Sequence, residues 1–326
     1  MNELILTDGL QLPERIRAGE TPALFCNTNE HAKQFWEFFI TSYRNKHTRL
    51  AYLSAAFRFA DWMHERGIDE IEDVEPGMVG FYVDFLNQSL AAPSVKLHLT
   101  AIRALFDYLV VQQVIAMNPA KSVKAPKHSV TEGKTPTLSV AEMRQLFDSI
   151  EMKGVCAFRD RAIIATMAYS FARVSAVNLL KVKDYYTQSK RSYYRLHEKG
   201  GKYTTVPTHH TAQQYMDEYL VFLGEDPDPK APLFQTTDTR HALLTGKPMS
   251  SRTTLAMVKR RCARAGLSPE ICNHSFRGTG ITTYMENGGT LEMAARIAGH
   301  ASTTTTQLYD RRDSKVKLDE IERIHY

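Results

Sequence analysis

The sequence has no run of about 18 consecutive apolar residues, the length a membrane-crossing helix requires, so no segment is expected to span a bilayer. The N-terminus, MNELILTDGLQLPERIRAGE, lacks the basic start and apolar centre of a secretory signal, and a cytoplasmic chain is the expectation. Cysteine is scarce: Cys26, Cys156, Cys262 and Cys272 stand far apart, and no C-x-x-C pair occurs. This spacing points to reduced, isolated thiols and gives no support to a zinc site. Internal repeats and low-complexity tracts are likewise absent.

What remains is an ordinary globular composition, 43% hydrophobic and 24% charged, over 326 residues. That length accommodates two domains with separate cores. The net charge of +5 conceals an asymmetry, because residues 1–118 hold 10 Lys and Arg against 15 Asp and Glu, whereas residues 119–326 hold 31 against 21. A basic half suits a polyanionic partner such as nucleic acid, although solubility alone also accounts for it.

Residues 1–28 show no sustained periodicity. From Asn29, NEHAKQFWEFFITSY places Phe35, Trp36, Phe38 and Phe39 on a broad apolar face. A second helical segment, TRLAYLSAAFRFADWMHERG, presents Leu50, Leu53, Phe57, Ala60, Trp62 and Met63 and stops at Gly67. After the acidic connection IDEIEDVEP come a third helix, GMVGFYVDFLNQSL, and a fourth starting at Ser94, with Leu97, Ile102, Leu105, Phe106 and Leu109 expected to face inward. Four such helices make a compact bundle. Pro119 to Pro136 then breaks the pattern with three prolines and Lys121, Lys124, Lys127 and Lys134 against one acid, Glu132, as a domain linker does. Its lysines suit either a solvated tether or contact with a phosphate backbone.

The second half opens with Ser139 and Glu142 in a capping-box arrangement, followed by the apolar FRDRAIIATMAYSFARVSAVNLL with Arg173 near its far end. Tyr193–His197 and Tyr203–Thr208 flank Gly200-Gly201 as a hairpin with Lys199 and Lys202 at its tip. Helices TAQQYMDEYLVFLG and SSRTTLAMVKRRCARAG precede the closing ICNHSFRGTGITTYMENGGTLEMAARIAGHASTTTTQLY.

Splitting a phosphodiester without a metal requires cations to neutralise the non-bridging oxygens, an acid for the leaving oxygen, and a nucleophile that holds the phosphoryl group. Arg173, Lys199, His274, Arg277, His300 and Tyr309 have the right chemistry. Each also has a plain structural reading. Arg173 suits a buried ion pair with a carboxylate such as Asp160 or Asp184. His274 and Arg277 suit a polar helix surface, His300 a cap after Gly299, Tyr309 a core or surface tyrosine, and Lys199 a solubilising turn residue.

The order and spacing of the set carry more than its members. FARVSAVNLL, HEKGGKYTTVP, HSFRGTGITTYMENGG and LEMAARIAGHASTTTTQLYDR together resemble the arginine, lysine, H-x-x-R and tyrosine boxes of the tyrosine recombinase (phage integrase) family of Xer-type and Cre-like enzymes. The resemblance covers both halves. It implies Tyr309 as nucleophile, forming a 3′-phosphotyrosyl link, and Arg173 and Arg277 as the phosphate clamp. Lys199, or alternatively Lys202, would be the acid, His274 would transfer protons around the tyrosine, and His300 would hydrogen-bond the phosphate. One departure is Ala176, where the arginine box usually has a glutamate three residues after the arginine.

The resemblance implies a mainly α, multidomain chain. Residues 1–118 would be a helical-bundle, SAM-like core-binding domain and 119–136 a linker. Residues 137–326 would be a mixed α+β, mostly helical catalytic domain with a small antiparallel sheet. It further implies double-stranded DNA with specific core sites as partner, a homotetramer on DNA formed from a monomer or weak dimer, accessory proteins in some systems, and no cofactor or metal. The terminal DSKVKLDEIERIHY, with Val316, Leu318, Ile321 and Ile324 at near-helical spacing, would dock on a neighbouring protomer or pack on its own domain. A type IB topoisomerase and a non-catalytic DNA-binding protein of the same fold are the rival readings.

Overall fold

The computed structural model describes residues 14–127, 133, 135–198, 201–238, 243–310 and 322. The chain divides into two compact units, residues 1–129 and 130–326.

The first unit is helical: α1 (Glu14–Ala18), α2 (Asn29–Ser42), α3 (Lys46–His64), α4 (Pro76–Asn87) and α5 (Ala92–Val111). Local chemistry sets these boundaries. Thr28 Oγ1 accepts from the His31 amide at 3.0 Å to start α2, and Asn45 Oδ1 accepts from His47 and Thr48 to start α3. Prolines at the first turns of α4 and α5 lack the amide that would have gone unpaired there. Gly67, at φ +73°, ends the turn after α3 in the left-handed region that disfavours a side chain.

An aromatic core joins the helices, with Phe59 edge-on to Tyr82 (5.1 Å) and to Phe106 (5.8 Å), and Phe35 edge-on to Phe39. Helix α5 starts two residues before Ser94, and Leu97 does not face inward: it is 40% exposed. The buried stripe is Val95, Leu99, Ile102, Leu105, Phe106 and Leu109, and Leu97 lies half a turn from its first two members. Leu50 is only partly buried at the edge of this core.

The second unit holds α6 (Val140–Asp148), α7 (Gly154–Ser170), α8 (Val174–Asn178), α9 (His210–Leu220), α10 (Ser251–Arg264), α11 (Asn273–Glu286), α12 (Leu291–Ile297) and α13 (Thr303–Gln307). Among the described residues its strands are β1 (Tyr185–Gln188), β2 (Arg191–His197), β3 (Tyr203–Pro207), β4 (Gln235–Thr237) and β5 (Leu244–Pro248). The first three form an antiparallel sheet in the order β1-β2-β3, with Tyr194 opposite Tyr185 on one side and Val206 on the other. Strands β4 and β5 pair antiparallel in a sheet of their own. The Ser139–Glu142 capping box forms as the spacing predicts.

Helix α7 is buried on all sides and packs against α9 and α11, so it is the axis on which the unit is built. Gly280 of α11 makes that approach possible. A Cβ there would run into the Ala168 carbonyl oxygen and come within 2.7 Å of the Phe171 ring. Gly280→Ala therefore overpacks a backbone contact and is expected to cost about 3 kcal/mol or more. Thermal unfolding of the purified variant checks this, the expected outcome being a midpoint lower by several degrees.

Candidate active site

The site is assembled where α7, α11 and α12 end or turn beside the β2–β3 hairpin. Helix α7 stops at Phe171, whose backbone is left-handed (φ 54°, ψ 22°), a conformation that disfavours a non-glycine residue by roughly 1–2 kcal/mol. That reversal places Arg173 at the cap of α8. The Phe171 carbonyl accepts from Arg277 Nη1, so the strained turn is held by the second arginine of the site.

Arg277 is completely buried (0% exposed). Besides Phe171, it donates from Nη2 to the Ala298 carbonyl at 2.7 Å and lies 2.5 Å from His300 Nε2, while its Nε has no hydrogen-bond partner among the described residues. Burial first, and Arg173 second, push its pKa down to about 10. No carboxylate hydrogen-bonds to it among the described residues. A desolvated cation with neutral acceptors is costly, and it is an anion-seeking arrangement.

His300 follows Gly299, whose φ of +62° ends α12. An arginine only donates, so His300 Nε2 accepts from Arg277 and the ring proton sits on Nδ1, which donates to Thr306 Oγ1 at 2.8 Å. Burial, then the Arg277 and Arg173 charges, lower the imidazole to about 4. The Tyr309 hydroxyl lies 2.5 Å from His274 Nε2, and the same causes in the same order lower His274. A neutral His274 therefore accepts the hydrogen bond that the Tyr309 hydroxyl donates. The Tyr309 phenol is raised by burial, which outweighs the lowering by Arg277 and Arg173.

Tyr309 is 8% exposed and fixed along its backbone. Its carbonyl accepts from Thr282 Oγ1 at 2.9 Å, and its amide donates to the Thr306 carbonyl. The ring lies against Gly278, where a Cβ would sit 3.4 Å from it. Just before it, the Leu308 carbonyl accepts from the Gly133 amide at 2.9 Å.

Arg173, His274, Arg277, His300 and Tyr309 are thus gathered into one cluster, with His274 and Arg277 on one face of α11. Lys199 lies outside the described residues, as does the terminal segment but for Glu322. Lys202 is exposed, and its carbonyl accepts from the Glu198 amide at 2.7 Å across the mouth of the hairpin.

The partner of Arg173 differs from expectation. Asp160 is taken by Arg159 and Arg261, and Asp184 by the Lys181 amide and His197. Arg173 Nη1 instead meets Glu198 Oε2 at 2.5 Å. Glu198 was legible only as the residue before Lys199.

The profile of the Phage integrase family matches residues 136–315, and that of the Phage integrase N-terminal SAM-like domain matches residues 32–113. The chain belongs to the phage integrase family. As a member it is a tyrosine recombinase, an enzyme of site-specific DNA recombination. It is 30% identical to tyrosine recombinase XerD of Corynebacterium glutamicum over 264 residues, 77% of this chain and 83% of the relative. It is 29% identical to tyrosine recombinase XerC of Shigella flexneri over 266 residues, covering 80% and 83%. Its fold is that of the XerH recombinase in a post-cleavage complex with a palindromic difH substrate (TM-score 0.67, 17% identity, 93% and 90% covered). It is equally that of the lambda integrase tetramer bound to a Holliday junction (TM-score 0.66, 18% identity, 96% and 86% covered). Among the described residues no helix is long and apolar enough to cross a membrane.

Both site imidazoles are depressed, so they remain neutral where ordinary histidines charge. The unfolded chain binds these protons first, and the stability contributed by a neutral His300 falls as pH drops from about 6.5 to about 4. Histidine ring resonances followed by NMR are expected to show His300 titrating near the lower limit and His274 below the ordinary range.

Proposed function

We propose that Tyr309 is the nucleophile of the recombination reaction and that Arg173, Arg277, His274, His300 and Lys199 serve it. Tyr309 Oη attacks the scissile phosphorus as its proton passes to His274 Nε2. The bond to the 5′-oxygen breaks, and Lys199 (or Lys202) protonates that oxygen as it leaves. A 3′-phosphotyrosyl link and a free 5′-hydroxyl result. Attack by the 5′-hydroxyl of a second strand reverses these steps and rejoins the chain. Two guanidinium groups offset the charge that builds on the non-bridging oxygens. The arriving anion also favours a proton on His300 Nε2, which turns that atom from an acceptor for Arg277 into a donor for the phosphate. The phosphotyrosine keeps the bond energy, so the cycle requires neither metal nor nucleotide.

The observation that carries this reading is the Tyr309 hydroxyl at 2.5 Å from a neutral imidazole in a pocket held by two arginines. The domain assignment that accompanies it is DNA binding by residues 1–118, a linker over 119–136 and catalysis by 137–326. The partner is duplex DNA with specific core sites, and four protomers exchange strands in pairs through a Holliday junction in the bacterial cytoplasm. The terminal segment from Asp313 docks on a neighbouring protomer and couples cleavage to assembly. A type IB topoisomerase shares the chemistry but not this helical N-terminal unit.

Tyr309→Phe is expected to abolish covalent trapping on a nicked suicide substrate while duplex binding persists; a trapped adduct in the variant overturns the assignment. A base must be unprotonated to act, so the depressed His274 extends the cleavage plateau to lower pH. Single-turnover cleavage should stay level from pH 7.5 to below about 6.5, where an ordinary imidazole would already have halved the rate.

A further inference from the structure

We infer that Glu198 is the positioning residue for Arg173, and that it supplies from the β2–β3 hairpin the buried carboxylate that α8 does not provide. This rests on the reading of Arg173 as a phosphate clamp. The residue three positions after Arg173 is Ala176, which is buried and offers no acceptor. The carboxylate that does reach Arg173 comes from 25 residues further on, with Glu198 Oε2 at 2.5 Å from Nη1.

The relative exposure of the two side chains decides what the pair does. Glu198 is 6% exposed and Arg173 is 35% exposed. The carboxylate is therefore the inner partner, and the guanidinium is the outer one, left accessible to a phosphate. A carboxylate seated where the phosphate binds would have the reverse order. Glu198 is also wedged against the chain reversal after α12: a Cβ on Gly299 would sit 3.3 Å from its carboxyl carbon. One carboxylate thus ties together the base of the hairpin, the α7–α8 turn and the turn that carries His300.

The pair has an electrostatic consequence as well. Two guanidinium groups in one partly desolvated site repel each other, and after burial Arg173 is what lowers the Arg277 pKa. Glu198 offsets one of these charges and raises the Arg277 pKa, leaving the arginine pair with one net positive charge for the phosphodiester. Because Glu198 immediately precedes Lys199, the same contact links the clamp to the segment bearing the general acid.

The test is a double-mutant cycle on single-turnover cleavage of a suicide substrate, with duplex affinity and thermal unfolding measured alongside. Glu198→Ala is expected to slow cleavage by about 10–100-fold with duplex affinity within about threefold, the range that misplacing one clamp group produces. Glu198→Gln keeps the volume and an acceptor and is expected to recover part of the loss; it carries the same cycle should the alanine variant not fold. In an Arg173→Lys background, which loses the forked guanidinium, the same substitutions should cost less than about threefold, because Glu198 acts through that fork. Losses that multiply in the double variant overturn the proposal, and so does a single Glu198 variant that cleaves at the parental rate or faster. Should Arg173→Lys itself cleave normally, the clamp reading fails. If it is slow while Glu198→Ala is not, the positioning role alone fails.

Discussion

The candidate site of the second unit depends on keeping one cation, the Arg277 guanidinium, out of water. Besides His300 Nε2, its acceptors are the carbonyls of Phe171 and Ala298, which cap the C-terminal ends of α7 and α12. Those ends carry the partial negative charge of their helices and have carbonyls without intrahelical partners. The guanidinium is thereby stabilised without being neutralised. A carboxylate in the same place would hold it more firmly and would also cancel its attraction for a phosphate. Two helix ends are the compromise, and the left-handed turn at Phe171 is part of what it costs.

The same positive field divides the protonation states. Added to burial, the larger cause, it lowers both imidazoles, so that His274 is neutral at neutral pH, and it opposes without overcoming the burial that keeps the Tyr309 phenol protonated. His274 and Tyr309 are held in hydrogen-bond contact, but proton transfer between them is unfavourable at rest. In the proposed reaction that gap is useful, because a resting phenolate beside a phosphodiester would cut without control.

How much of this was legible in the sequence depended on whether the signal was local. The helices of the first unit, the capping box at Ser139 and the lysine-bearing hairpin followed from periodicity and turn residues within a few positions of one another. Leu97 misled because apolar character was read without its angular position on α5. Strands β4 and β5 escaped because they are short, irregular in register, and, in LTGKP, contain both a glycine and a proline. Strand β1 escaped for a related reason: the turn that joins it to β2 is formed by Ser189 and Lys190 with positive φ, without the glycine or asparagine that marks such turns. The spacing of the six candidate residues gave the chemistry through resemblance. The partner of Arg173 could not be found that way, since a carboxylate across a hairpin leaves no trace at the arginine, and the aspartates nearer in the chain were already committed to other bonds.

Arg277 and Tyr309 are not independent parts of the site. Arg277 binds His300, His300 binds Thr306, and the Thr306 carbonyl accepts from the Tyr309 amide. Three hydrogen bonds therefore connect the Arg277 guanidinium to the backbone of Tyr309. If Arg277 turned its donors to an anion, as proposed, His300 would lose a donor, and both ends of that short relay would adjust together. Helix α13 spans only Thr303–Gln307, too short to be stable by itself, so its position is set by these contacts rather than by its own hydrogen bonds. Tyr309, which follows directly on that segment, is thus aligned by the contacts of the site itself.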